Sequence, residues 1–262
     1  MLSVRNIQPA LQLKDLPAAQ FLLFDAFRSN TETRPHLHPW GQLQIVSGGL
    51  LELQAQGKRF LSPPNLAIWV PAGIVHQSYN RKPIDYCSVN IVPELAGDLP
   101  GHVCLLAVTA IIDAVISDLR NRDVRTAQSQ ADKRLFKVLL DQLAITDQIE
   151  HFLPVSKHKL LAPVLTALEL DPADDTPLFV WAKRVHSTER TLARHCQNEL
   201  GMNFTEWRLR MRYIYSLELL RSGRSVKDIA FTLGYNQASP FITMFKKYAE
   251  CTPEQYKLKH AI

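Results

Sequence analysis

Apolar residues recur with a period of two along the first third of the chain and with a period near 3.6 along the last third. Phe21-Leu22-Leu23-Phe24, Gln42-Leu43-Gln44-Ile45-Val46 and Leu66-Ala67-Ile68-Trp69-Val70 read as short strands. Residues 50–55 alternate in part, and residues 86–91 form another run after Pro83. Gly48-Gly49 and Gly57-Lys58 are turn signals between runs, and Pro71-Ala72-Gly73 ends one. Many short strands separated by turns predict a small barrel or sandwich. The pattern changes near Pro100. Residues 104–119 and 131–143 have helical spacing, with Leu105, Val108, Ile112, Val115 and Leu119 on one stripe. Two helices there serve equally as a cover for the β section or as a seam with a second subunit.

From Pro154 onward the periodicity is helical throughout. Helices are predicted over 157–170, 177–184, 189–198, 206–221, 226–233 and 238–248, with a last turn after Pro253. Thr176 before Pro177, Thr205 before Glu206, and Ser225 with Asp228 mark starts. Gly201, Gly223 and Gly234 fall where the chain must turn sharply. The segment contains an approximate duplication: helix, tight turn, helix over 177–198, and again over 226–248, with a longer helix between. Such a unit presents its second helix to a DNA major groove, and two side by side span neighbouring groove segments about 34 Å apart. Three sections follow: 1–100, a β-rich domain; 101–153, a helical linker and possible dimerisation region; and 154–262, an all-α domain with two helix-turn-helix units.

Charge sharpens this division. Residues 1–156 carry 14 Lys/Arg and 14 Asp/Glu, whereas residues from Lys183 onward carry 14 and 7. The basic tail fits an anionic partner, although a merely basic surface has the same count. The 262 residues are 46% hydrophobic, enough to bury cores. No apolar stretch reaches the length of a membrane span, and Met1-Leu2-Ser3-Val4-Arg5 lacks a leader's pattern, so a cytoplasmic protein without a membrane partner is expected. Cys87, Cys104, Cys196 and Cys251 have no close pairing and read as buried thiols. No Ser-His-Asp, phosphate-loop or dinucleotide fingerprint is present.

The tail resembles the AraC/XylS family of bacterial transcription regulators. The matching residues are Trp181-Ala182-Lys183-Arg184, Leu200-Gly201-Met202 and Phe204-Thr205-Glu206-Trp207-Arg208. They continue through Ser225-Val226-Lys227-Asp228-Ile229-Ala230, Leu233-Gly234-Tyr235, Ser239, Phe241, Phe245-Lys246-Lys247-Tyr248 and Thr252-Pro253-Glu254-Gln255-Tyr256. The resemblance implies that 189–198 and 238–248 are the recognition helices. Glu189, Arg190, Ala193 and Arg194 are then the exposed early positions of the first, with Arg190 and Arg194 favoured for DNA. For Arg194 the alternative is a structural ion pair. In the second, Gln237, Ala238, Ser239 and Thr243 are the base-facing candidates, and Lys246 and Lys247 the phosphate-facing ones. Cys196 reads as inert packing. Two departures from the family stand out: Ala249-Glu250-Cys251 replaces a common glycine, and Thr243 stands where Arg is frequent.

The front half carries its own chemistry. Period-two alternation points His36 and His38 to one side, where His76 from another strand can join them as a set of three metal ligands. His36-Leu37-His38 with Gln42 and Gly49, and Pro71-Ala72-Gly73 with His76 and Asn80, resemble the two cupin motifs, with Gln42 in place of an acidic residue. The resemblance implies a cupin-like barrel and a small-molecule sensor pocket. His36, His38, Trp40, Gln42, Trp69, His76 and Tyr79 are its candidate ligand contacts, with Tyr86 as a further aromatic wall. Divalent metal at His36, His38 and His76 is one option, and a metal-free pocket is the other. The function implied is a ligand-modulated regulator that binds double-stranded promoter DNA, as a homodimer, with RNA polymerase as a possible partner. The competing reading is a metal-dependent cupin enzyme, a dioxygenase or isomerase, built on the three histidines.

Overall fold

The computed structural model describes residues 6–9, 13, 15–62, 66–149 and 153–259. Met1 to Arg5, His151 and His260 lie outside the described residues. The chain divides into two compact units, Met1–Phe152 and Leu153–Ile262.

In the first unit, strands β1 (Asn6–Gln8), β2 (Gln20–Phe27), β3 (Thr31–Thr33), β4 (Gly41–Ser47), β5 (Leu51–Ala55), β6 (Lys58–Ser62), β7 (Leu66–Val70), β8 (His76–Asn80) and β9 (Ile84–Ile91) precede β10 (Cys104–Ala107). Helices α1 (Ala110–Asn121) and α2 (Gln130–Ile145) follow, then β11 (Gln148–Ile149). The described strands form two sheets, in the orders β1-β3-β8-β5-β6 and β11-β10-β7-β4-β9-β2. All pairings are antiparallel except β1 with β3. The expected cupin-like barrel takes the form of two sheets among the described strands, with no closed barrel. Barrel and sandwich both require one inward face per strand, so alternation alone does not separate them.

The six-stranded sheet is covered on both faces. Its outer face carries Leu22, Leu43, Ile45, Ala67, Trp69, Cys87, Val89, Ile91, Cys104 and Leu106. Against them pack Ile112, Val115, Ile116 and Leu119 of α1 and Phe136, Leu139 and Leu143 of α2. Thr109 caps α1 by accepting from Ile112 N, and Ser129 with Asp132 forms a reciprocal capping box on α2. Helix was expected from residue 104, but β10 occupies the start of that run. Its apolar side chains divide between two cores, Cys104 and Leu106 on one and Leu105 on the other. A short apolar run buried on both sides fits strand and helix periodicity alike. Within residues 101–153, expected to be a helical linker, the strands β10 and β11 and the covering helices α1 and α2 all belong to the first unit.

The second unit contains α3 (Ala162–Leu170), α4 (Leu178–Arg184), α5 (Glu189–Leu200), α6 (Phe204–Arg221), α7 (Val226–Thr232), α8 (Ala238–Ala249) and α9 (Pro253–Lys259). Helix α3 begins five residues later than predicted, because Pro163 is tolerated only in a first turn. Pro177 itself, extended at ψ 156°, occupies the N-cap of α4 where Thr176 was expected. Asn203 rather than Thr205 caps α6, accepting from Glu206 N at 2.8 Å. Ser225 caps α7 as predicted. Where the resemblance leads one to expect a glycine between α8 and Thr252, Glu250 adopts the left-handed C-cap conformation at φ 56°.

Backbone space is tightest at Gly41, where an added Cβ would sit 2.2 Å from Trp69 Cη2. The Trp69 ring cannot retreat: it is 1% exposed, and its Nε1 donates to Pro100 O at 2.7 Å. Gly41→Ala is expected to destabilise the protein by about 1–3 kcal/mol, whereas Gly97→Ala, with nothing near its Cβ, should stay within about 0.5 kcal/mol. Equal denaturant midpoints for the two variants would contradict this packing. Glu250→Gly should raise stability by about 1 kcal/mol in the same measurement, since it relieves a left-handed side chain.

Candidate functional site

The inner face of the six-stranded sheet is polar along part of β4 and β9, whereas β7 and β10 turn the apolar Leu66, Ile68, Val70 and Leu105 to that side. Alternation along β4 and β9 turns Gln42 and Gln44, and Ser88 and Asn90, inward, and all four are buried. They satisfy one another. Asn90 Oδ1 accepts from Trp40 Nε1 at 2.9 Å and from Gln42 Nε2 at 3.0 Å. Asn90 Nδ2 donates to Ser88 Oγ at 3.0 Å, and Gln44 Nε2 donates to Gln42 Oε1 at 2.8 Å. The chain of bonds ends at Gln44 Oε1, which is buried and has no partner.

This network borders a cavity of about 140 Å3, similar to a cavity that holds benzene. His36, His38, Gln42, Gln44, Ser78, Tyr86, Ser88, Asp25 and Phe27 are among its lining residues. Four predicted contacts, His36, His38, Gln42 and Tyr86, are thus brought together. Trp69 faces the opposite way, into the core under α1 and α2. Tyr79 is turned aside because Ser78, its neighbour on β8, faces the cavity; its hydroxyl donates to Asn30 Oδ1 at 2.9 Å. Trp40 and His76 stand behind the lining. Trp40 stacks on His38 with centroids 4.6 Å apart and planes 13° apart. Gln44, Ser88, Asp25, Phe27 and Ser78 were missed. The recoverable signal was polar residues at alternate positions of otherwise apolar strands.

His36 and His38 lie on an extended segment tied to β8 by a single bridge, His36 to His76, rather than on a continuous strand. The period-two geometry still holds: ring centroids are 4.9 Å apart for His36–His38, 4.3 Å for His36–His76 and 5.5 Å for His38–His76. Ligand atoms of all three lie within 4.8 Å of one another. His36 Nδ1 is 2.7 Å from Arg34 O, and His76 Nδ1 is 2.9 Å from Ile74 O. A carbonyl only accepts, so both Nδ1 atoms carry a proton, and in the neutral ring the lone pair is left on Nε2. This backbone support is the kind that ligating histidines use, so the donor set fits a divalent cation. His76 Nε2 is buried without a partner. Burial lowers the pKa of His38 and His76 to about 4, and the charge of His36 pushes both the same way; for His76 the Ile74 hydrogen bond opposes the shift.

In the second unit, α4 and α5 enclose a four-residue turn and α7 and α8 a five-residue turn. Both turns close alike. Ser187 N donates to Ala182 O at 2.8 Å, and Tyr235 N to Ala230 O at 2.9 Å. The preceding residue is left-handed in each, His186 at φ 53° and Gly234 at φ 82°. Gly234 is also sterically required, since a Cβ there would meet Ala173 O at 2.4 Å. Helix α5 buries Leu192, Cys196 and Leu200 and exposes Glu189, Arg190, Ala193 and Arg194. Helix α8 buries Phe241, Met244 and Phe245 and exposes Gln237, Ser239, Thr243, Lys246 and Lys247, with Ala238 half-buried. Lys247 is already bound to the Glu206 carboxylate, which also accepts from Tyr248 Oη at 2.7 Å. Thr243 Oγ1 donates back to Ser239 O at 3.1 Å. Burial pushes the Cys196 thiol up to about 11, in line with inert packing.

Not all of the basic excess is surface. Arg212 donates to Pro172 O at 2.9 Å and to Asp174 O at 3.2 Å, and its guanidinium lies over the Tyr235 ring. Arg208 donates to Thr176 O at 3.1 Å, and both arginines approach Asp175. These two tie α6 to the loop before α4 and hold the second turn in place.

Two family models match the chain: an AraC-like ligand binding domain over residues 19–139 and a helix-turn-helix domain over residues 181–259. The HTH-type transcriptional regulator NimR of Escherichia coli K12 is 32% identical over 221 residues, covering 84% of this chain and 81% of its own. The transcriptional activator PerA of E. coli O127:H6 is 23% identical over 196 residues, 70% of this chain and 69% of its own. Among solved structures, ToxT from Vibrio cholerae is 14% identical, with a TM-score of 0.39, over 94% of this chain and 100% of its own.

The depressed histidines set a pH dependence. Their folded pKa values, about 4, lie below the ordinary 6.5. The unfolded state therefore binds more protons in that interval, and stability present above about 6.5 is lost as pH falls toward about 4. Thermal melts of the full chain in chelating buffer should show this loss, and a His38→Asn/His76→Asn double variant should show a shallower one. Identical slopes would assign the acid sensitivity to other groups.

Proposed function

The chain belongs to the AraC/XylS family of helix-turn-helix transcription regulators, and from that membership we propose how its two units divide the work. It is a DNA-binding regulator with an N-terminal ligand-binding domain, not the enzyme that His36, His38 and His76 taken alone left open. Helices α5 and α8 enter successive major-groove segments of promoter DNA, and a small molecule in the cavity between the sheets biases that binding. The observation that carries the reading is the duplicated turn, closed by the same bond from Ser187 and from Tyr235, with an exposed polar face on each following helix.

Residue roles follow from chemistry. Arg190 and Arg194 suit guanine or phosphate, Gln237 suits adenine, and the Thr243 methyl suits thymine. Glu189, Ala238 and Ser239 complete the approach surface. Lys246 neutralises phosphate; Lys247 does so only at the expense of its bond to Glu206. Burial of Arg208 and Arg212 removes them from the DNA-facing set. Two copies joined through α1 and α2, which leave Ile111 and Val138 exposed, would double the footprint, and RNA polymerase would be the recipient of the regulatory signal. Effector binding acts only through differential affinity for two arrangements of the chain.

Arg190→Ala should leave the melting temperature unchanged and weaken binding to the chain's own upstream region by about 1–3 kcal/mol. Lys246→Ala should weaken binding to all sequences alike and lower the salt slope by about one. Gel-shift titrations at two salt concentrations measure both. Wild-type affinity in Arg190→Ala would remove α5 from the base-reading role, and a full-length protein that protects no DNA genome-wide would overturn the regulator's proposed contacts.

A further inference from the structure

The cavity has a chemical bias that its shape does not reveal. The unmet groups facing or bordering it are electron-pair donors. Gln44 Oε1 is buried without a partner because the Gln44 amide nitrogen is spent on Gln42. His36 and His76 direct their Nδ1 protons to backbone carbonyls, which leaves Nε2 lone pairs. Asp25 supplies a carboxylate, and among the described lining residues there is no Lys or Arg. Asp25 sits directly across from Tyr86 in the β2–β9 ladder, and Phe27 lies two residues on, on the same face. The Phe27 and Tyr86 rings stand 5.1 Å apart at 37°, and both line the cavity together with Asp25.

An anion would meet a carboxylate and lone pairs with no compensating cation among the described lining residues, which is costly in a part-buried site. A neutral polyol would bring a lone pair with every hydroxyl. A positive charge bearing N–H donors is complementary to each of these groups: carboxylate, amide oxygen, imidazole lone pair and aromatic face. A volume of about 140 Å3 exceeds what a bare ion fills and suits a compact organic group.

Taking the cavity as the effector site proposed above, we infer that its occupant is a small organic ammonium ion, with its charge between Asp25 and the Phe27–Tyr86 walls and its N–H groups directed to Gln44 and the histidine cluster. The remaining source of positive charge is a divalent metal ion on His36, His38 and His76, and the two are separable because only the ammonium uses Asp25.

The test is calorimetric titration of the full-length protein with benzylammonium, its isosteres benzyl alcohol and benzoate, and Zn2+. Benzylammonium is expected to bind at least tenfold more tightly than benzyl alcohol. Asp25→Asn, at an exposed position that leaves the fold intact, should remove that preference without changing the affinity for the alcohol. Benzoate binding, or ammonium binding indifferent to Asp25→Asn, overturns the inference while leaving the cavity an effector site. Stoichiometric Zn2+ binding that is lost in His36→Ala and blocks benzylammonium also overturns it, in favour of the metal. Failure of an unbiased metabolite screen to shift the melting of the chain would instead bring down the effector reading itself.

Discussion

The first unit depends on a buried amide finding its partners. Asn90 lies on a strand whose outer neighbours, Val89 and Ile91, are sealed under two helices, so the strand has no solvent on that side. The inward amide must be satisfied within the protein. It takes donors from Trp40 and Gln42 and gives one to Ser88. Loss of any member would strand a buried group at a cost of about 1–3 kcal/mol. Trp40, so fixed, stacks on His38, and His38 joins His36 and His76. The cavity wall is thus an outcome of satisfying one polar position in a doubly covered sheet.

The consequence for function is pre-organisation. A pocket whose Gln42 and Gln44 side chains are already oriented by a hydrogen-bond chain presents a ligand with a set pattern of unmet acceptors. Less ordering entropy is then lost on binding. The covering helices α1 and α2 pack on the reverse of the strands that line the cavity. Any shift of β4 or β9 on ligand binding is therefore felt at those helices, since packed cores favour discrete arrangements over continuous deformation.

The second unit solves a different problem, that of presenting two polar helix faces at fixed angles from a small core. Helix α6 is the spine. Trp207, Met211, Ile214, Leu217 and Leu220 are buried along it, and Arg208 and Arg212 clamp the loop that abuts Gly234. Basic residues serve two unlike purposes here. Arg208 and Arg212 on α6 hold carbonyls, whereas Arg190, Arg194 and Lys246 are exposed. A charge count taken from composition adds the two together.

What the sequence determined by itself was whatever local periodicity and turn chemistry encode. The strands β2, β4, β5, β7 and β9, the duplicated helix-turn-helix with its glycine at 234, the Ser225 cap and the shared side of His36 and His38 all follow from neighbours within a few residues. Tertiary structure decided the rest, because the deciding partner lay far along the chain. Residues 104–107 became a strand because β7 offers them an edge. Trp69 was drawn under α1 and α2, away from the ligand cavity, and Tyr79 was turned outward by the register of β8. Glu250 took the left-handed cap that glycine usually fills. Whether the strands closed into a barrel or stood as two sheets was also settled at long range. Alternation dictates which residues face inward; only the pairing of distant edges dictates what they face.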